Sequence, residues 1–271
     1  MQPCINGATT LPYTLEQDLE AAAAAGFPMV EIWSGKLGAY LERHPVPHLR
    51  QELADRGLGV AAICPYTLRM FGDWHQGLEQ IRRATALAAE IGSPQLLVCP
   101  DAPGTGDGGP DVYRTAGERA RAYGEVAAAA GLRLAIEPLG GHPFVPGPRQ
   151  AAAILEAADH PALGVMMDTF HYHKSGVSDA DIEAIPPRWW TILHINDVPA
   201  GDPAAFSDAD RLYPGEGVLP LTQTLQRLAR LGFTGAASVE VFRRSYWELP
   251  IAEINQRAYA GVTQALRAAE V

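Results

Sequence analysis

Four residues that are able to bind a metal ion each close a short apolar segment in the second half of the chain. They are Glu137, Asp168, His194 and Glu240, at the ends of the segments 132–137, 163–168, 190–194 and 237–240. Carboxylate and imidazole ligands suit Mn²⁺, Mg²⁺, Zn²⁺, Fe²⁺ or Co²⁺. A polar strand end in contact with solvent would explain any one of them alone. Four of them at the ends of successive segments predict a metal site.

The same ligand set predicts a reaction. A divalent ion that chelates a carbonyl and its neighbouring hydroxyl acts as a Lewis acid and acidifies the hydrogen on the adjacent carbon. A base must remove this proton and an acid must return it, to the other face or to the next carbon. We expect Glu137 and Glu240 to be this catalytic pair. The reaction would be a proton transfer through an enediolate bound to the metal.

The elements that must position these residues alternate along the chain. Expected strands lie near 4–7, 28–33, 58–63, 95–99, 132–137, 163–168, 190–195 and 236–241, and expected helices near 14–25, 46–56, 75–91, 113–130, 148–158, 178–184, 220–231 and 251–269. Eight βα units in succession predict an α/β fold, a (β/α)₈ TIM barrel, as a single domain over residues 1–271. Active sites of such barrels lie at the carboxyl ends of the strands, where the four side chains would converge.

Composition and charge narrow the classes of partner. The chain has 271 residues and a formal net charge of −10, from 21 Lys and Arg against 31 Asp and Glu. An acidic protein binds nucleic acid and anionic membranes poorly, so we expect neither as a partner. Three cysteines without a CxxC pair indicate a reducing compartment, and the N-terminus shows no signal peptide. These features predict a cytoplasmic protein without a membrane anchor.

Five motifs lie in the second half of the chain: Glu137-Pro-Leu, Asp168-x-x-His171, His194-x-x-Asp197, Pro214-Gly-Glu-Gly217 and Ser238-Val-Glu240; with Val30-Glu-Ile-Trp33 near the start, these features extend over most of the chain. In these motifs the chain resembles the sugar phosphate isomerase/epimerase superfamily, the xylose isomerase-like TIM barrels. The resemblance implies that Glu137, Asp168, His194 and Glu240 hold one divalent ion. Mn²⁺ is the expected ion, with Zn²⁺, Mg²⁺, Co²⁺ and Fe²⁺ as alternatives. The resemblance also implies substrate binding by His171 and Arg211.

Two residues near the end of the second expected strand, Glu31 and Trp33, are further candidates for contact with a substrate. The alternative interpretation of Glu31 is that it belongs to a polar layer inside the barrel. For Trp33 the alternative is ordinary packing within the barrel. Cys4, Cys64 and Cys99 are interpreted as small buried residues.

We therefore predict a metal-dependent sugar isomerase or epimerase of carbohydrate metabolism, acting on a small ketose or a related hydroxy-carbonyl compound. An inosose dehydratase-like lyase would use the same metal to expel a β-hydroxyl group. An endonuclease IV-like phosphodiester hydrolase is disfavoured, because Asp210-Arg211-Leu212 lacks the histidine that follows Asp-Arg in that enzyme. A catalytically silent sugar-binding barrel is the fourth interpretation. The particular sugar, its phosphorylation and the formation of a homo-oligomer stay open.

Overall fold

The computed structural model describes residues 1–104 and 111–271. Within this part of the chain, eight parallel strands pair in sequence order, and the last pairs with the first to close a barrel. The strands are β1 Gln2–Asn6, β2 Met29–Trp33, β3 Gly59–Leu68, β4 Gln95–Pro100, β5 Arg133–Ile136, β6 Leu163–Asp168, β7 Trp190–Ile195 and β8 Ala236–Val239. The predicted (β/α)₈ barrel is confirmed.

The helices of the described residues cover the outside of the barrel or lie in the loops at its carboxyl end. They are α1 Leu15–Ala25, α2 Ser34–Leu41, α3 Val46–Arg56, α4 Trp74–Ile91, α5 Val112–Ala129, α6 Pro148–Ala158, α7 Thr169–Lys174, α8 Asp179–Glu183, α9 Leu221–Arg230, α10 Arg244–Trp247 and α11 Ile251–Ala269. None of the helices in the described part of the chain is both long enough and apolar enough to cross a membrane.

Local sequence determines where the outer helices begin and end. At α1, the Thr14 hydroxyl accepts the Gln17 backbone N–H, and the Gln17 side chain accepts the Thr14 N–H. This reciprocal pair supplies two of the hydrogen bonds that a helix start lacks. The helix ends at Gly26, whose φ of +99° is the left-handed conformation that glycine adopts at low cost.

Three short helices, α2, α7 and α10, were not predicted from the sequence. Helices α2 and α7 directly follow strands β2 and β6, and α10 follows β8 after the intervening residues 240–243. The clearest case is α7, which starts immediately after Asp168. The Asp168 carboxylate accepts the backbone N–H groups of Phe170 and His171 and therefore caps this helix. The sequence also predicts an irregular segment over residues 100–110, and residues 105–110 of this segment lie outside the described part of the chain.

The interior of the barrel is built in layers. A buried cluster fills its lower part with small or apolar side chains, among them Cys4, Ala62, Leu97, Ala135, Met166 and Ile192. Successive strand side chains point to opposite faces, so a residue two positions further on also points inward. Two positions after these six residues come Asn6, Cys64, Cys99, Glu137, Asp168 and His194. The polar site thus forms the layer above an apolar floor.

Candidate metal centre

The four predicted ligand residues meet at the carboxyl end of the barrel. Ligand atoms from Glu137, Asp168, His194 and Glu240 all lie within 4.8 Å of one another, and all four residues are buried. Three carboxylates and one imidazole at this separation form a donor set for a divalent cation. Asp168 is the last residue of β6 and His194 the last but one of β7, whereas Glu137 and Glu240 directly follow β5 and β8.

His194 presents one ring nitrogen to this cluster. Its Nδ1 lies 3.0 Å from Glu240 Oε2, 3.6 Å from Asp168 Oδ2 and 3.7 Å from Glu137 Oε1. This nitrogen is buried and makes no hydrogen bond in the structure. An imidazole nitrogen without a partner, facing three carboxylates, is what a metal ligand offers, and the residues therefore fit a bound divalent ion.

The other ring nitrogen of His194, Nε2, contacts the carboxylate of Glu31. His194 Nε2 lies 2.9 Å from Glu31 Oε2, and the same oxygen accepts the Ser238 hydroxyl at 2.7 Å. Glu31 is 1% exposed and does not line the open pocket. The structure thus places Glu31 against His194, in the polar interior layer that was the alternative to a substrate contact; a contact of Glu31 with substrate stays a prediction. A carboxylate in this position orients a metal-ligating histidine and fixes its tautomer.

Glu240 is held at both carboxylate oxygens. Asn6 Nδ2 donates to Oε1 at 3.2 Å, and Arg211 Nη1 donates to Oε2 at 2.6 Å. The Asn6 amide is itself oriented, because its Oδ1 accepts the backbone N–H of Ala8 at 2.8 Å. The Glu240 side chain therefore points at the cluster without rotational freedom.

Asp168 divides its two oxygens between the helix start and the cluster. Oδ1 accepts the first N–H groups of α7 and the Asn196 side-chain amide at 3.2 Å, while Oδ2 accepts Arg211 Nη1 at 2.8 Å. Burial raises the pKa of Asp168, but Arg211 and the nearby imidazoles outweigh it and hold the pKa well below its usual value. Asp168 is consequently ionised and available to a cation.

Glu137 has the fewest hydrogen bonds of the three carboxylates. Its Oε2 accepts the Cys99 thiol at 3.3 Å, and its Oε1 lies 3.8 Å from His171 Nε2. Burial, followed by repulsion from the Glu240 carboxylate, raises the pKa of Glu137 to about 8. A group with this pKa can both accept and return a proton near neutral pH.

His171 and Arg211 lie beside the cluster. Arg211 is 1% exposed, and its guanidinium carbon lies over the rings of Phe170 and Phe242 at 4.6 and 5.3 Å from their centroids. Its Nη2 lies 3.0 Å from His171 Nε2, so this nitrogen of the histidine accepts and the ring is neutral. Burial lowers the pKa of His171, in agreement with this tautomer.

A cavity of about 290 Å³ opens above the cluster. Its walls include Trp33, Cys99, Glu137, His171, Arg211, Glu240 and Phe242. Trp33 and Phe242 meet edge to face, with ring centroids 5.9 Å apart. A cavity of this size accommodates one small molecule. A wider surface cleft of about 480 Å³ near Pro161 and Trp189, at the opposite end of the barrel, contains none of the predicted site residues.

Asp197 secures the loop that carries Pro214 to Gly217. Its carboxylate accepts the backbone N–H groups of Gly215, Gly217 and Leu219 at 3.1, 3.0 and 2.8 Å. A Cβ atom at Gly217 would lie 2.1 Å from the Val198 carbonyl oxygen, so only glycine fits there. Asp197 also exchanges two backbone hydrogen bonds with Leu212, so it fixes the segment next to Arg211 without entering the cluster.

Several residues of the site carried no separate signal in the sequence analysis. No role is predicted from the sequence for Asn6, Asn196 and Phe242, and Ser238 is named there only as part of the motif Ser238-Val-Glu240. Cys99, interpreted as a small buried residue, is partly exposed and lines the cavity. The period of two within each strand is the signal that would have found them. Asn6 and Cys99 each follow an inward-facing residue by two positions, and Ser238 precedes Glu240 by two.

The xylose isomerase-like TIM barrel family matches residues 19–267 of the chain. An inosose isomerase of Halalkalibacterium halodurans is 29% identical over 260 residues, which cover 93% of this chain and 92% of that protein. A 3-dehydroshikimate dehydratase of Pseudomonas putida is 30% identical over 248 residues, covering 89% of this chain but only 38% of the dehydratase.

Among solved structures, one of the IolI protein with a bound zinc atom superposes with a TM-score of 0.89 and 25% identity, over 98% of each chain. An L-ribulose 3-epimerase superposes with a TM-score of 0.77, over 99% of this chain and 95% of the epimerase, but at 18% identity it shows the fold alone. Together with the cluster at the barrel mouth, these relatives support a divalent metal site in this protein.

Proposed function

The chain belongs to the xylose isomerase-like TIM barrel family, and on that basis we propose that it is a metal-dependent isomerase or epimerase. Its substrate would be a small ketose or a related polyhydroxy ketone. The observation that carries this proposal is the convergence of three carboxylates and one imidazole within 4.8 Å at the floor of a cavity large enough for one sugar. The inosose isomerases among its relatives support the same reaction class.

Glu137, Asp168, His194 and Glu240 would hold the ion. Once bound, the ion would supply Lewis-acid polarisation of a substrate carbonyl. We propose Mn²⁺, with Zn²⁺ as the alternative that the zinc-bound IolI structure favours. Both ions accept the oxygen and nitrogen donors present.

The residues around the cluster supply the proton chemistry. Glu137 lines the cavity, and its raised pKa suits a base that removes the hydrogen next to the carbonyl. Glu240 also lines the cavity and, starting in its protonated form, would donate a different proton from the other side of the substrate, after which exchange with water would restore both carboxyl groups. His171 and Trp33 would orient the substrate, the first through its ring and the second by stacking on the sugar. Arg211 would hold Asp168 and Glu240 in place.

A lyase is the second candidate, because 3-dehydroshikimate dehydratases are 30% identical to this chain. The first step would be the same removal of a proton next to a carbonyl. The outcome would differ in that a β-hydroxyl group leaves and the product loses the mass of one water molecule.

The test is turnover of the Mn²⁺-loaded protein in deuterated water, with ketoses, inosose and 3-dehydroshikimate as substrates. We expect an isomer of unchanged formula that carries deuterium on the carbon next to the carbonyl. Glu137→Gln should lower this rate by about 10²-fold or more, since general base catalysis contributes roughly 10²–10⁴-fold. Glu156→Gln, which removes an exposed carboxylate at the opposite end of the barrel, is the matched control.

Three results would contradict the proposal. An isomer without deuterium would indicate a direct hydride shift. A product lighter by one water molecule would identify the lyase. Full activity in Glu137→Gln would remove this residue from the mechanism even if isomerisation occurs.

A further inference from the structure

We propose that Asp208 is a specificity-determining residue that restricts the cavity to uncharged hydroxy ketones, an inference that rests on the proposed function. Asp208 lies at the rim of the cavity, in the loop after β7, and its side chain is 55% exposed. Neither the motifs of the sequence nor the metal cluster assigns a role to it. The role that we propose for Asp208 follows from its contact with Arg211.

The guanidinium of Arg211 has no donor left for a substrate. Nη1 donates to Asp168 Oδ2 and Glu240 Oε2, and Nη2 lies 3.0 Å from His171 Nε2. Asp208 Oδ1 takes the remaining edge, 2.7 Å from Nη2 and 3.2 Å from Nε. These contacts account for all five N–H groups of an arginine.

Of the partners of Arg211, Asp208 alone is exposed, because Asp168, His171 and Glu240 are buried. Without Asp208, the Nε and Nη2 edge would be free and would face the cavity. That edge is the planar fork that binds carboxylate and phosphate groups with two parallel hydrogen bonds. Asp208 thus occupies the position that an anionic substrate group would need.

The rest of the cavity offers no second cation. Among the described residues that line it, Arg211 is the only lysine or arginine, and the sequence of residues 105–110 contains neither. The negative charge around the cavity also exceeds the positive charge of Arg211 and one divalent ion. The carboxylates that supply it are those of Glu31, Glu137, Asp168, Asp208 and Glu240. A carboxylate or phosphate on the substrate would therefore enter a site with excess negative charge.

The loop that carries Asp208 is held in place by its own hydrogen bonds. Asp210 Oδ2 accepts the backbone N–H of Ser207 at 2.8 Å and its hydroxyl at 2.9 Å. Asp208 begins the short turn that these bonds close. The carboxylate over Arg211 is therefore a built feature of the loop.

The test measures equilibrium binding of two unreactive probes to the Mn²⁺-loaded full chain by calorimetry at low salt. The probes are myo-inositol, which is neutral, and shikimate, which carries a carboxylate; neither has a carbonyl next to an acidic hydrogen. We expect the unsubstituted protein to prefer myo-inositol. In Asp208→Ala, shikimate should bind about tenfold more tightly, because a charge-assisted fork becomes available, while myo-inositol changes less than about twofold.

Asp202→Ala is the matched control, since Asp202 is an exposed carboxylate of the same loop that caps Ala204 and does not contact Arg211. An unchanged shikimate affinity in Asp208→Ala would overturn the proposal, and so would an equal gain in Asp202→Ala. A preference of the unsubstituted protein for shikimate would overturn it as well. If no ketone exchanges its hydrogen but these affinities shift as expected, the proposed reaction fails while the role of Asp208 stands.

Discussion

Replacing Glu31 by glutamine should weaken metal binding even though Glu31 is not among the expected ligands. Its Oε2 lies 2.9 Å from His194 Nε2, and both side chains are at most 1% exposed. Glutamine keeps the volume of the side chain, so no cavity forms. What changes is the charge of the group behind the imidazole, and with it the orientation and basicity of Nδ1.

The magnitude follows from the kind of hydrogen bond that is lost. A hydrogen bond to a charged partner contributes roughly 1.5–3 kcal/mol, and a neutral one roughly 0.5–1.5 kcal/mol. The difference of about 1–1.5 kcal/mol corresponds to about tenfold in an equilibrium constant. Substitutions of residues that orient metal ligands weaken metal affinity by roughly 10–100-fold, so we expect a loss of at least about tenfold.

The assay is a competition titration of the protein against a chelator of known affinity for Mn²⁺ or Zn²⁺. Ser238→Ala is the control, because the Ser238 hydroxyl donates to the same oxygen of Glu31 at 2.7 Å, and its removal leaves the charge of Glu31 behind the imidazole unchanged. Its metal affinity should stay within about threefold. An unchanged dissociation constant for the metal in Glu31→Gln, together with a raised KM, would refute this reasoning and restore Glu31 as a substrate contact.

Two further predictions concern the protons released on metal binding and the loop that Asp197 holds. Without metal, burial and neighbouring carboxylates raise the pKa of Glu137 to about 8. The carboxylates of Glu240 and Glu31 raise the pKa of His194, although burial opposes this shift. Both side chains therefore carry protons at neutral pH. Metal binding must release these protons, so affinity should rise with pH by roughly tenfold per unit for each proton, with the contribution of Glu137 ending near pH 8. Calorimetry in buffers of different ionisation enthalpy would count the released protons, and a pH-independent affinity would contradict this prediction. Gly217→Ala should lower the unfolding free energy by about 1–3 kcal/mol in denaturant titrations, because the new Cβ atom would overlap the Val198 carbonyl oxygen. Gly38→Ala is the control and should not lower it, because a Cβ atom at this position in helix α2 would meet open space.

The barrel could be predicted from the sequence because its signals are local. Each strand is an apolar segment, each outer helix has its own period, and glycines such as Gly26 and Gly92 mark helix ends. The order of eight such units leaves few alternatives. The short helices after the strands could not be found this way. Helix α7 has only six residues, and its cap, Asp168, had already been interpreted as a ligand.

The metal cluster was predictable for the same reason as the barrel, since one ligand lies at or just beyond the end of each of four strands. The residues behind the cluster were not, because their role depends on contacts between distant strands. Asn6 and Glu240 are 234 positions apart, and Glu31 and His194 are 163 apart. A single sequence contains no signal that pairs them. The role of Asp208 likewise depends on how one loop folds back onto Arg211.

The charge balance of the site explains why a metal, and not folding stability, accounts for this arrangement. Glu31, Glu137, Asp168 and Glu240 are buried around the imidazoles of His171 and His194 and one guanidinium, that of Arg211. Burying carboxylates in excess of their cations is costly, and apolar residues of similar size would stabilise a barrel better. The protein without metal relieves the excess with protons, as the raised pKa values of Glu137 and His194 indicate. A divalent cation would relieve the same excess more completely, because Glu137, Asp168, Glu240 and His194 offer it three carboxylates and one imidazole nitrogen within 4.8 Å. The feature that makes this layer unfavourable for folding is therefore the one that makes it a metal site.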